Sequence, residues 1–214
     1  AILEREDPRE AWICAGGLKF RDVPRGFRVG TFSPRRKAQV LSVRPDLEVI
    51  PFRGNVDTRL RKMKAGEVDG LILAACGLRR LGLGSAITEL LDEETFLPAV
   101  GQGAIAVEIR KKDKPIARMA GALNHGESFL RIAAERAMLA RLEGGCQLPV
   151  GVTDRIRKGK LWMKAAVYSF DGSRSASAEV LGPAKKAREL GKKLAVLLLE
   201  RGGGKILKEI RREK

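Results

Sequence analysis

The sequence predicts an α/β domain followed by a smaller α+β domain, and three observations predict it. Residues 9–97 alternate strand-like and helix-like segments in the order strand, helix, strand, helix, strand, the pattern of a parallel or mixed sheet with helices packed on it. Three later segments, 150–156, 161–170 and 175–181, alternate as strands and are separated by the hairpin dipeptides Lys158-Gly159 and Asp171-Gly172. Two helical runs follow, at about 184–201 and 204–212. The expected organisation is an α/β domain over 1–97, a crossing segment over 98–121, and an α+β domain over 122–214 with a three-stranded antiparallel sheet.

Taken in order, Phe27 to Gly30 reads as a short strand, with Ser33 as helix N-cap and Pro34 at the first helical position. The helix continues through Lys37 to Val43. Leu47 to Phe52 alternates like a strand, Asn55 or Asp57 caps a helix through Lys64, and Val68 to Ala75 is a buried-strand run. Ala104 to Arg110 has strand character, and 115–123 is expected to be helical. From Glu127 to Leu142, Phe129, Ile132, Ala133, Ala137 and Leu139 recur near helical spacing, with Gly144 as the C-terminal stop. Cys146 follows on a glycine-flanked turn.

At 214 residues the chain is long enough to bury the cores of two modest domains. Its longest apolar runs fall short of the ~20 residues that span a bilayer, and Ala1 to Asp7 lacks the order of a secretory signal, so a cytoplasmic location and no membrane partner are expected. Three scattered cysteines match neither a disulfide framework nor a zinc site, and a lone histidine, His125, excludes a multi-histidine metal site. His125 is expected at the surface, at the start of the helix beginning near Gly126. The net charge of +16 predicts attraction to anions. Nucleic acid is disfavoured, because the single tyrosine and the lack of zinc spacing give no base-reading motif. Two asparagines and three glutamines among many charges lean toward a heat-adapted source.

Arginines recur where strands are expected to end and helices to start: Arg35 and Arg36, Arg53 and Arg59, Arg79 and Arg80. Ligands of open α/β sheets bind beyond the carboxyl ends of the strands, where helix N-termini offer free N–H groups. All six are expected to converge on one mouth that takes a multiply charged anion, since guanidinium pairs with carboxylate through two parallel N–H donors. Ser33, Gly54 and Gly77 are expected close to that ligand. The glycines beside Cys146 and the polar Gln147 after it make a poor core segment and point to a presented thiol, whereas Cys14 and Cys76 read as packing residues.

Four segments carry a resemblance: Gly30-Thr31-Phe32-Ser33-Pro34-Arg35-Arg36, Arg53-Gly54-Asn55-Val56-Asp57-Thr58-Arg59, Ala99-Val100-Gly101-Gln102-Gly103-Ala104, and Arg141-Leu142-Glu143-Gly144-Gly145-Cys146-Gln147-Leu148-Pro149. In this order they resemble porphobilinogen deaminase, also called hydroxymethylbilane synthase. The resemblance implies a transferase of tetrapyrrole (haem) biosynthesis that condenses four porphobilinogen units head to tail and releases ammonia. It implies a dipyrromethane cofactor joined by a thioether to Cys146. Cofactor contacts are implied for Ser33, Arg35, Arg36, Arg53, Gly54, Arg59 and Arg80, contacts to porphobilinogen and the growing oligopyrrole for Arg35, Arg53, Arg59 and Arg80, and a hinge at Gln102 and Gly103.

The resemblance also places the family's catalytic aspartate in a lysine-aspartate motif upstream of Ala1. Asp22 is not its counterpart, since Arg21-Asp22 follows the Glu4-Arg5-Glu6-Asp7 stretch that it should precede. No catalytic residue is therefore expected within this chain. Roughly the N-terminal third of a family member is expected to be absent, with a separate N-terminal fragment as a partner that completes the first domain. Phe32 stands where the family usually has serine, and Pro34 where it usually has leucine. The α/β domain resembles, at fold level, domains of periplasmic solute-binding proteins. Two other readings remain open: a non-catalytic anion-binding module and a basic nucleic-acid-binding protein.

Overall fold

The computed structural model describes residues 1–143 and 148–212. Gly144, the expected helix stop, and Cys146 lie outside the described residues.

The first domain holds a five-stranded mixed sheet in the order β3-β2-β4-β1-β5. Its strands are β1 (Glu10–Cys14), β2 (Arg28–Gly30), β3 (Glu48–Ile50), β4 (Gly70–Ala74) and β5 (Glu89–Leu90). β2 runs parallel to β3 and β4, while β1 is antiparallel to β4 and β5. Strand alternation divides the core between the two faces. Trp12, Cys14, Val29 and Ile72 pack with Phe20, Val40 and Phe96 on one side, and Ala11, Ile13, Leu71 and Leu73 pack with Leu60, Met63 and Leu78 on the other.

The first two helices agree with their sequence signals. α1 (Pro34–Val43) opens on Ser33, whose hydroxyl accepts the Arg36 N–H, with Pro34 in the first turn. α2 (Val56–Lys64) is capped by Asn55, not Asp57; the Asn55 side chain accepts the Thr58 N–H. α3 (Ala75–Arg80) follows β4 directly.

The crossing segment departs from expectation. Ala104 to Arg110 forms no strand; Ala106 makes an isolated antiparallel bridge to Ile2, flanked by backbone bonds from Leu3 N to the Ile105 carbonyl and from Val107 N to the Ala1 carbonyl. The run alternates correctly, but its only backbone neighbour among the described residues is the short N-terminal segment, too little for a ladder. Residues 1–7 thus lie with the crossing segment and not with the five-stranded sheet. α4 (Lys114–Ala122) follows, with Ala120 its only buried residue.

In the last domain α5 (Gly126–Arg141) and α6 (Ala187–Leu198) cover the antiparallel sheet β6-β7-β8, made of Val150–Arg157, Lys160–Tyr168 and Ser175–Pro183. Lys158 and Gly159 turn the first hairpin with φ of 48° and 70°, the left-handed pair that a two-residue turn needs. α7 (Gly204–Arg212) closes the chain's described part. The stripe expected on α5 is shifted. The helix buries Ser128, Ile132, Ala133, Ala134, Glu135 and Met138, and leaves Phe129 40% exposed. Its N-cap is His125, which accepts the Ser128 N–H.

The two domains meet through α1. Ala38 and Leu97 pack with Ala166 and Tyr168 of β7. The turn after β7 comes so close that a Cβ on Gly172 would lie 2.3 Å from the Ala38 carbonyl oxygen. The helix that opens beside the arginines of the first domain is therefore seated on the sheet of the last.

Candidate functional site

The carboxyl ends of β2 and β3 and the N-terminus of α1 open into a cleft of about 740 Å³. Thr31, Phe32, Ser33, Pro34, Arg36 and Lys37 line it from the β2–α1 turn, Val49, Pro51, Arg53 and Arg59 from β3 and α2, and Phe170 from the last domain. The turn is rigid: Thr31 exchanges backbone bonds with Ile50 and Phe52, and its hydroxyl accepts the Ser33 N–H at 3.2 Å. No carboxylate is among these lining residues.

The cations of the cleft have few partners. Arg59 donates its Nε–H to the Gly54 carbonyl at 2.7 Å, and Gly54, at φ +132°, holds that carbonyl in place. Burial lowers the Arg59 pKa, and the positive charge of Arg36 lowers it further. The Arg53 guanidinium lies over the Phe32 ring, 3.6 Å from its centroid. Among the described residues Lys37, Arg53 and Arg59 have no carboxylate partner. A cleft that gathers four basic side chains, three of them without a carboxylate partner among the described residues, suits an anion.

Below the cleft Glu10 is fully buried on β1. Arg36 donates to its Oε2 at 2.9 Å, and Arg35 donates to its Oε1 at 2.6 Å and to the Leu97 carbonyl at 2.6 Å. Gln102 donates to the same Oε1 at 3.1 Å and to the Pro8 carbonyl at 2.6 Å. Burial raises the Glu10 pKa, but Arg36 and Arg35 together outweigh it, leaving the carboxyl below its ordinary value.

The six arginines therefore do not share one mouth. Arg36, Arg53 and Arg59 line the cleft, whereas Arg35 is buried against Glu10, Arg79 pairs with Asp7 at 2.9 Å, and Arg80 pairs with Glu6 at 2.6 Å and donates to the Gly103 carbonyl at 2.9 Å. Glu6, Asp7 and Glu10 precede every arginine run, and no local spacing signals that they fold back onto them. The segment Gln102–Gly103 is thus held by Glu10 and Arg80. Gly77 and Gly54 are not among the cleft-lining residues, though Gly54 orients Arg59. Lys37, Thr31 and Phe170 went unremarked in the sequence; Lys37 adjoins the double arginine, a signal that was there to be used.

A second buried cluster joins this segment to the last domain. Glu135 on α5 accepts from Arg5 at 2.5 Å and from the Gly101 N–H at 2.6 Å. Asp154 on β6 accepts from Arg131 and lies 3.5 Å from Arg5. Burial, with the Asp154 charge beside it and against the pull of Arg5, raises the Glu135 pKa to about 8.

The chemistry of the lining fits a dipyrromethane, whose carboxylates would be met by Ser33, Arg36, Arg53 and Arg59 with Lys37. Cys146, its expected anchor, lies outside the described residues, between the end of α5 and Leu148. Cys14 and Cys76 are free and buried, and burial pushes the Cys76 thiol up, which suits packing and not attachment.

A family model described as porphobilinogen deaminase, dipyromethane cofactor binding domain, matches residues 1–118, and one described as porphobilinogen deaminase, C-terminal domain, matches residues 129–200. The chain is 47% identical over 211 residues to a porphobilinogen deaminase of Desulforudis audaxviator, covering 99% of this chain and 68% of the relative. To the porphobilinogen deaminase of Carboxydothermus hydrogenoformans it is 46% identical over 213 residues, covering 100% and 68%. To that of Geobacter sulfurreducens it is 43% identical over 209 residues, covering 98% and 65%.

Proposed function

The chain belongs to the porphobilinogen deaminase family, and from that membership we propose that its cleft grips the carboxylates of a pyrrole chain tethered at Cys146. The family assigns it a role in tetrapyrrole biosynthesis as a transferase of the hydroxymethylbilane synthase type, with a dipyrromethane cofactor. When bound, that cofactor supplies the primer to which porphobilinogen units are added.

The proposed division of labour follows the partners of each side chain. Arg36, Arg53 and Arg59, with the Ser33 hydroxyl, bind carboxylates and fix the orientation of the pyrrole chain. Arg35 and Arg80 hold Gln102 and Gly103 beside the cleft and act on the substrate through that placement. The observation that carries the reading is the gathering of Lys37, Arg53 and Arg59 in one cleft without a carboxylate partner among the described residues.

That cleft binds and positions, but its lining offers no carboxylate to balance positive charge. Glu10, which pairs with the cleft residue Arg36, is committed to Arg35 and Arg36. Loss of ammonia and carbon–carbon bond formation need a group that moves protons and stabilises positive charge. We assign that group to a partner segment that completes the site. The exposed apolar residues Ile105, Ile116, Met119 and Leu123 on and beside α4 support such a segment as their cover. The cytoplasm is the proposed location; no helix of the described residues is long and apolar enough to cross a membrane.

The test is twofold. Intact-mass spectrometry of the chain reconstituted with the linear tetrapyrrole product is expected to show an added pyrrole adduct that is lost in Cys146→Ser. Porphobilinogen consumption is expected only when a segment supplying the remainder of the relatives' length is added. An unmodified thiol, or equal consumption by the complete assembly and its Cys146→Ser variant, would falsify the reading.

A further inference from the structure

Phe32 is 47% exposed, an unusual place for a phenyl ring beside a helix N-terminus. One of its faces is covered by the Arg53 guanidinium at 3.6 Å. The stacked pair lines two recesses at once: the main cleft, and a second of about 340 Å³ that adds Ile50, Phe52, Lys62 and Glu67. Phe32 and Arg53 are therefore the wall between them.

The ring's base is fixed. Residue 31 is tied to β3 and its extension by two backbone bonds, and residue 33 caps α1. Arg53, in contrast, has neither a carboxylate partner nor a side-chain hydrogen bond among the described residues, so the ring is what holds its guanidinium. Stacking engages only the face of a guanidinium and leaves its in-plane N–H donors free for a two-point bond to a carboxylate. A long arginine side chain that is already held loses less freedom when it binds.

We infer that Phe32 is a positioning residue: it holds Arg53 at the cleft wall so that a carboxylate of the incoming pyrrole meets a donor pair already in place. The inference rests on the reading of the cleft as a pyrrole-carboxylate site.

Two measurements on the whole chain test it. In arginine side-chain NMR spectra the Arg53 δ-methylene and Nε–H signals are expected to be displaced upfield by the ring, and Phe32→Leu is expected to remove that displacement while Phe32→Tyr keeps it. In calorimetric titration with porphobilinogen, Phe32→Leu is expected to weaken binding about two- to fivefold, the size of an exposed cation–π contact. In an Arg53→Gln background the same change is expected to cost nothing further. Undisplaced Arg53 signals, unaltered affinity in Phe32→Leu, or a full second loss in the double variant each overturns the inference and leaves the cleft assignment standing. Failure of the parent chain to bind porphobilinogen overturns both.

Discussion

Glu10 and Glu135 are both fully buried carboxyls, yet their surroundings send them in opposite directions. Glu10 meets two guanidiniums and stays below its ordinary pKa. Its contribution to stability is held at neutral pH and lost as acid protonates it. Glu135 meets burial first, then the negative Asp154, and only then Arg5; Gly101 N–H also faces it and Arg131 faces its neighbour Asp154. Its folded value of about 8 lies above the ordinary 4.5, so the folded chain binds a proton that the unfolded chain has released between those values. Stability from this group is therefore full below about pH 4.5 and lost as pH rises through about 8. The melting temperature is expected to fall across this window, and Glu135→Gln, which cannot ionise, is expected to flatten the fall. Equal slopes in both proteins would contradict a raised Glu135 pKa in the folded chain. Ser33, Asn55 and the Lys158-Gly159 turn were legible in the sequence because their partners lie within three residues. The destination of Arg35 was not, since Glu10 is 25 residues away on a strand the periodicity did not single out.

At the scale of elements, the strand and helix order of 27–74 and of 150–212 follows the sequence closely, because caps, turns and alternation mark most of its boundaries, whereas α3 and β5 carry no such signal. β1 escaped notice although Ala11-Trp12-Ile13-Cys14 is an unbroken apolar run, too short to tell strand from buried helix. The opposite error, a strand over 104–110, shows that alternation needs a partner to become a ladder. α5 and α6 make the tightest helix contact. A Cβ on Gly191 would stand 2.0 Å from the Ala134 carbonyl oxygen, so the helices must separate to admit it. Gly191→Ala is expected to destabilise the last domain by ~1–3 kcal/mol, the usual cost of overpacking. Urea titration would detect it as a lower midpoint with an unchanged slope; a midpoint equal to the parent's would mean that the helices yield without cost.

Over the whole molecule the net charge of +16 divides between two kinds of surface. The cleft gathers Arg36, Lys37, Arg53 and Arg59, while residues 184–212 carry ten basic and three acidic side chains, mostly on exposed faces. On the proposed reading, a pyrrole dicarboxylate in the cleft would feel both a local grip and a diffuse field. Raising ionic strength from about 10 mM to about 150 mM, which shortens the screening length from ~30 to ~8 Å, removes mainly the second. Affinity for porphobilinogen is expected to weaken over that range and then level off at a residual value set by the cleft. An affinity that kept falling toward zero at higher salt would assign binding to the diffuse field alone. The composition made this excess charge plain; how it is partitioned was hidden, because three acidic residues near the start of the chain neutralise arginines that are remote in sequence.

The seating of α1 has a mechanical corollary. One end of this helix bounds the anion cleft, and its flank lies on β7 and the turn at Gly172, with no space left even for a methyl group. The wall of the cleft is in effect riveted to the last domain. On the proposed reading, a pyrrole chain that lengthens in the cleft would have to advance past a stationary vice, as thread passes a fixed needle eye.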